Sequence, residues 1–395
     1  AAIALTSELR RKERLNLLSY SEVETKVGNG ASWKDIIWNA LLGFLLGFKI
    51  VGIFLNRETA MVDPQEYILS WRGNLPAGLL IAFALAGLKF WQGRKEKLKV
   101  PEKRVIRIWA HDRVGDMIIL AAVFGFAGAK LFHNLENWDD FIKDPLAALS
   151  SFSGLTFYGG LICAAVAILI FAKKHHIKIW HLLDSFGPAL MIAYAVGRMG
   201  CHVSGDGDWG ILNSAYVTSV QGKSVQVDSA TYKEAVTKNI QYYQETFKGV
   251  KKIEQYKDVM HISLTAPAWL PNWIVAYPYP HNVVNEGVRI NNCEGRYCSV
   301  LPVPVYPTPF YETVICLVLF FILWAIRKRI KVSGVLFSIY LIFNGFERFF
   351  IEKIRVNTHY NILGIHPSQA EIISFLLMLM GILLLVYRYR TKGVS

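Results

Sequence analysis

Apolar residues in this chain come in long blocks rather than in stripes. The blocks lie at roughly 36–55, 76–92, 115–133, 154–172, 182–199, 309–326, 333–351 and 369–387. A hydrocarbon core of ~30 Å needs about 20 residues of helix, and only helices or closed barrels satisfy the backbone inside it. None of the blocks alternates with the period of two that barrel strands require. The pattern therefore predicts an all-α polytopic membrane protein with about eight transmembrane helices. The block at 182–199 contains Asp184, Gly187 and Pro188, which predicts a kinked or partly buried helix.

The polar segments between blocks fall into two alternating kinds. Lys and Arg cluster at 10–14, 94–107, 173–178, 327–331 and 388–392, whereas 56–75, 134–153 and 366–368 carry few of them. Basic loops are held on the cytoplasmic side. The alternation therefore predicts a cytoplasmic C-terminus and places 199–308 outside. That outer segment is mostly polar and long enough for a small head, and strand-like stretches at 214–220 and 225–227 predict a partly β one. Four regions follow: N-terminal helices and basic loops over 1–110, a first half of the membrane core over 111–199, the head over 200–308, and a second half of the core over 309–395. The chain opens on Ala1-Ala2-Ile3-Ala4-Leu5-Thr6 and then turns basic. A signal peptide has the opposite order, so this start is expected to be the last turns of a truncated N-terminal membrane helix.

Composition changes this picture little. Of 395 residues, 53% are hydrophobic and 18% charged, with a formal charge of +13. The positive charge sits in short loops rather than on a face interleaved with stacking aromatics, which argues against nucleic acid and for the lipid bilayer as partner. Cys293 and Cys298 fall in the outer segment, where an oxidising compartment favours a disulfide. Cys163 and Cys316 lie in apolar blocks and read as packing residues. The histidines are scattered, so no metal site and no cofactor is expected.

Three groups of residues carry candidate chemistry. The first is Gly197-Arg198-Met199-Gly200-Cys201-His202-Val203-Ser204-Gly205-Asp206-Gly207-Asp208-Trp209-Gly210. Its glycines permit tight turns, Arg198 offers a fork suited to phosphate, His202 titrates near neutrality, and Asp206 and Asp208 are acceptors. An ordinary helix-ending loop with an interface arginine is an equally open reading of this stretch alone. The second runs from Asn344 to Arg355. Arg348 and Glu352 are four apart and share one helical face, and Arg355 follows a turn later, so the spacing resembles a phosphate clamp more than a snorkelling arginine. The third joins Phe157-Tyr158-Gly159-Gly160 to Tyr306-Pro307-Thr308-Pro309-Phe310-Tyr311-Glu312. Tyr158 and Tyr311 also suit an interfacial belt, and Glu312 a helix N-terminus. All three groups converge on one leaflet.

These residues resemble the prolipoprotein diacylglyceryl transferase family, over roughly 112–386 outside the head. The stretch from Gly197 to Gly210 is similar to the family signature. Asp144-Pro145-Leu146, the Tyr158-Gly159-Gly160 motif, the run from Pro307 to Glu312 and the spacing of Arg348, Glu352 and Arg355 add to the likeness. The resemblance implies transfer of the diacylglyceryl group of phosphatidylglycerol to the lipobox cysteine of a prolipoprotein in the bacterial inner membrane, with glycerol phosphate released. Carried onto this sequence, it implies Arg198 and Arg348 as the essential cations. Glu352, Arg355, Gly210, Gly159, Gly160, Asp206, Asp208, Asn344 and Tyr311 would shape the substrate site. There are departures. Cys201, His202 and Ser204 stand where the signature has Asn, Phe and Asn, and Tyr158 stands where the family has histidine. The late tyrosine falls at Asn344 or Tyr340. Proton transfer is left to His202 or to a hydroxyl network at Tyr158. Two competing readings use the same arginines: a phospholipid headgroup transferase or hydrolase without a protein acceptor, and a lipid or ion transporter. The second lacks an inverted repeat.

Overall fold

The computed structural model describes residues 1–27, 30–56, 67, 70–98, 102–150, 156–247, 252–357, 360 and 367–391. Much of the low-Lys/Arg loop at 56–75, and residue 366 of the one at 366–368, lie outside these residues. Every apolar block forms a helix. After α1 (Ala2–Arg14) come α2 (Trp33–Leu55), α3 (Leu75–Lys95), α4 (Val114–Glu136), α5 (Phe157–Lys174) and α6 (Ile179–Ser204). The head contributes α7 (Ser229–Lys238) and α8 (Ile240–Thr246), and the chain ends with α9 (Thr308–Ile326), α10 (Val335–Glu352) and α11 (Gln369–Arg390). Among the described residues, seven helices are long and apolar enough to cross a membrane. Helix α10 is the eighth expected span. It stands apart in composition because Glu347, Arg348 and Glu352 crowd its last two turns.

Small residues set the closest helix contacts. A Cβ on Gly160 would stand 2.8 Å from the Gly125 carbonyl oxygen, and one on Gly159 would stand 2.7 Å from that of Gly128. Backbone approach of this kind is the usual basis of helix association in lipid. Both glycines thus lie in close contact with α4. Helices α6 and α9 pair, as do α10 and α11, and α6 also packs on α10. Asp184, which interrupts the sixth block, accepts from the backbone N–H groups of Gly334 (2.9 Å) and Phe337 (3.0 Å) and so caps α10. Pro188 is accommodated within α6.

Two boundaries differ from expectation. Helix α6 runs to Ser204 and stops at Gly205, whose φ of 62° is left-handed. Arg198, Cys201 and His202 are therefore helical and not in a loop, because tertiary packing of α6 overrides the helix cost of Gly197 and Gly200, about 1 kcal/mol each. The basic segment near 94–107 includes a strand, β2 (Glu102–Ile108), paired antiparallel with β1 (Ser21–Val27) from Ser21↔Ile108 to Val27↔Glu102.

The head is partly β, as expected, and also holds two helices. Strands β4 (Tyr216–Thr218) and β5 (Ser224–Gln226) fall in or near the two strand-like stretches and pair antiparallel with each other. The rest is β3 (Leu212–Asn213) beside β6 (His261–Ile262), β7 (Val288–Arg289) beside β8 (Ser299–Val300), and the two helices α7 and α8. Tyr232, Val236, Tyr243, Phe247, Val303 and Val305 make its core. Cys293 and Cys298 form a disulfide with Cα atoms 5.7 Å apart.

Candidate active site

Glu312, the fifth residue of α9, is fully buried and sits at the centre of a charged cluster. Its carboxylate accepts from the Tyr194 hydroxyl (2.8 Å), from Arg198 Nη2 (3.0 Å) and from Arg355 Nη1 (3.3 Å). Arg198 Nε also meets it, and Arg348 Nη1 stands 3.7 Å away. Asp208 bridges the same two arginines from the head side. It accepts at 2.5 Å from Arg198 Nη1 and at 2.5 Å from Arg355 Nη2. Two carboxylates thus hold three guanidiniums and leave a net charge of +1 in that group. Arg348 pairs in turn with Glu352 at 2.9 Å. Glu352 also accepts from Asn357 (2.5 Å) and Ser368 (2.6 Å).

Each partner reaches the cluster by a local cause. Arg198 lies near the end of α6 because that helix continues past Gly197. Arg355 does not lie a turn along α10, which ends at Glu352; it sits in an isolated bridge to Gly210. The bridge needs a glycine, since a Cβ on Gly210 would stand 2.7 Å from the Ile354 carbonyl oxygen and 3.0 Å from that of Tyr306. Gly210→Ala is expected to destabilise the protein by about 1–3 kcal/mol, read as a lower melting temperature. It should also displace Arg355 and so reduce activity more than an alanine elsewhere in the head.

Electrostatics follows the geometry. Burial pushes the Asp208 carboxyl up, but the guanidiniums of Arg355 and Arg198 more than offset this and hold it below the usual carboxylate range. Burial lowers Arg355, and Asp208 and Glu312 outweigh it, so its affinity for the proton is raised. A depressed carboxyl adds stability above its unfolded pKa and loses it as pH falls through the folded one. The contribution of Asp208 is therefore expected to persist at neutral pH and to be lost progressively as the pH falls from about 4 through its depressed folded value. In thermal melts, the gap between wild type and Asp208→Asn should close on acidification.

The other predicted residues are placed as follows. Tyr158, 40% exposed at the start of α5, is within electrostatic reach of Arg348 and Glu352. Asn344 is half-buried one turn before Arg348. Asp206 accepts from the Asp208 N–H (3.3 Å) and shapes the turn. His202 is not brought to the arginines. Its Nδ1 meets the Tyr279 hydroxyl at 3.1 Å, and its ring lies among Tyr277, Phe310 and Trp273 at centroid distances of 5.2, 5.5 and 6.1 Å. Tyr311 donates to the Ile274 carbonyl (2.6 Å) and ties α9 to the head. Atoms of Cys201, Asp206 and Asp208 lie within 4.8 Å of one another, but Asp208 is already neutralised by two guanidiniums, which disfavours a cation there. A cavity of about 230 Å³ adjoins Asp208 and Arg355 and is walled by Trp209, Tyr242, Tyr243 and Phe247.

Sequence reasoning undervalued Glu312 and missed Tyr194 and Glu347. Glu347 is 2% exposed, and among the described residues neither of its carboxylate oxygens has a hydrogen-bond partner. The available signal was a carboxylate opening one apolar block and another inside the next, each costly in lipid without a partner.

Fold and cluster together define a multi-pass membrane protein with a carboxylate-centred arginine site where its helices meet the head. The chain belongs to the prolipoprotein diacylglyceryl transferase family, whose sequence profile matches residues 77–387. Among similar curated proteins is the phosphatidylglycerol–prolipoprotein diacylglyceryl transferase of Staphylococcus haemolyticus (strain JCSC1435), 23% identical over 335 residues, which are 83% of this chain and 88% of that protein. The protein of the same name from Staphylococcus aureus (strain MSSA476) is 24% identical over 346 residues, 86% of this chain and 92% of its own length. That of Enterococcus faecalis (strain ATCC 700802 / V583) is 24% identical over 311 residues, 78% and 84% of the two chains.

Proposed function

We propose that this protein transfers the diacylglyceryl group of phosphatidylglycerol to the lipobox cysteine of prolipoproteins at the outer face of the bacterial inner membrane. The observation that carries the reading is the cluster of Arg198, Arg348 and Arg355 around buried Glu312, in a chain of this family. Sulfur attacks the glyceryl carbon that bears the phosphate, the C–O bond breaks, and its electron pair leaves on glycerol phosphate. The thiol proton must be removed, because the thiolate is the nucleophile. Charge grows on the departing phosphate oxygen, and preorganised guanidiniums stabilise it.

Arg348 is the cation freest to touch the phosphate. It is less buried than Arg198 and Arg355 and has one close carboxylate partner, Glu352. Arg198 and Arg355 hold the pocket through Glu312 and Asp208. Tyr158, near Arg348 and Glu352, is better placed than His202 to pass the thiol proton on. Tyr158→Phe is expected to lower transfer about 100-fold, the lower end of the usual range for a proton-transfer group. His202→Phe should keep transfer within about threefold, as its ring serves aromatic packing. The reverse order of effects would return the proton step to His202.

A topology test accompanies this reading. Head residues such as Lys223, changed to cysteine, should react with an impermeant thiol reagent in intact cells with the outer membrane permeabilised, and Lys328→Cys should not. Headgroup release that proceeds equally without a thiol peptide would favour the hydrolase reading.

A further inference from the structure

At the opposite end of the bundle from the arginine cluster lies a second charged cavity, of about 350 Å³. It is enclosed by α1, the first turns of α6 and the link between α9 and α10. Five cations line it: Arg11, Lys12, Arg327, Lys328 and Lys331. Against them stand Glu8 and Asp184, so the wall carries a surplus of three positive charges.

The two carboxylates are already committed. Glu8 is fully buried and shared by Arg11 Nη2 (2.5 Å) and Arg327 Nε (3.1 Å). Asp184 caps α10 through two backbone N–H groups and meets Lys12 at 3.5 Å. Lys328 and Lys331 pair with no carboxylate among the described residues. Like charges gathered around one cavity repel, and an anion inside it relieves that cost. None of these residues belongs to the arginine cluster around Glu312.

The rest of the wall says which anion. Leu15, Leu17, Ile330 and Leu336 line the same cavity, which therefore offers apolar surface beside the charge. It lies at the level where the spans end, between Ile326 and Val335. Arg327 stacks on Trp324 with 3.4 Å to the ring centroid, an interfacial pairing. Basic pockets between membrane helices are a recognised form of phospholipid headgroup site.

We propose that this cavity binds the phosphate of an anionic phospholipid in the leaflet opposite the arginine cluster, as a structural lipid. Asp184 of α6 and the N-terminus of α10 meet at its wall, and these two helices carry Arg198 and Arg348 at their far ends. A lipid there would brace both. The inference does not rest on the transfer reaction.

The test is the melting temperature of the delipidated full chain in detergent, with phosphatidic acid, phosphatidylcholine or inorganic phosphate added. Phosphatidic acid should raise it by several degrees, with little effect of the other two. Lys328→Gln/Lys331→Gln, at two solvent-facing side chains, should lose at least half of that rise, and Lys331→Glu should do the same. Arg348→Ala should retain at least half of it, which separates this site from the arginine cluster. An equal rise in wild type and both lysine variants, or an equal rise with phosphatidylcholine, would overturn the proposal. A lysine-dependent rise with inorganic phosphate alone would overturn the lipid as ligand.

Discussion

Glu312→Gln is expected to lower lipid transfer about 100-fold or more, although Glu312 need not touch the substrate. The side chain is fully buried, and its two oxygens hold Tyr194, Arg198 and Arg355, with Arg348 at 3.7 Å. Glutamine keeps the shape but removes the charge and turns one acceptor into a donor facing guanidiniums. Three arginines then repel around a neutral centre in a medium that screens poorly. Truncation is worse: Glu312→Ala leaves uncompensated buried charge, at a cost of about 3–5 kcal/mol. Glu312 is a positioning residue, so a purely structural role must be distinguished. At a temperature where Glu312→Gln remains folded, its KM for phosphatidylglycerol should rise as kcat falls, and Glu312→Asp should recover part of both. An unchanged KM with normal folding would count against its role in arranging the arginines.

Arg348→Ala carries the second large effect. Removing a preorganised donor to a developing oxyanion costs about 100- to 1000-fold in rate. Arg348 is 25% exposed at the side chain and is the least committed of the three arginines. Its loss should leave the melting temperature within a few degrees of wild type while transfer collapses. Arg348→Lys should recover less than a tenth of the activity, since an ammonium cannot replace a planar fork on phosphate. Arg198→Ala should behave differently. Arg198 is tied to both Glu312 and Asp208, so its removal lowers stability and activity together. If Arg348→Ala and Arg198→Ala lower the melting temperature equally, the division of labour between them fails.

Much of this arrangement was legible in the sequence. The apolar blocks located every long helix, because membrane helices announce themselves by local composition alone. The Arg348–Glu352 pair followed from a spacing of four, and the disulfide from two cysteines in one polar segment. Features that depend on distant partners were not legible. Glu312 is separated by more than 100 residues from Arg198 and by about 40 from Arg355, so nothing local marks it as their shared counter-ion. The end of α6 moved from Met199 to Ser204 because tertiary packing sustains a glycine-containing turn until Gly205 forces a left-handed backbone. Arg355 left the helix because its backbone bridges Gly210, a partner 145 residues earlier. Strand β2 was hidden for the same reason, since its pairing partner β1 lies across two helices. His202 looked catalytic by residue type, and only its aromatic surroundings place it elsewhere.

The central claim is most directly tested by mass spectrometry of a lipobox peptide incubated with the purified protein and phosphatidylglycerol. A diacylglyceryl adduct on the cysteine, absent with a Cys-to-Ser peptide and with Arg348→Ala, is the predicted result. Folded protein that forms no adduct yet releases glycerol phosphate without the peptide would contradict it.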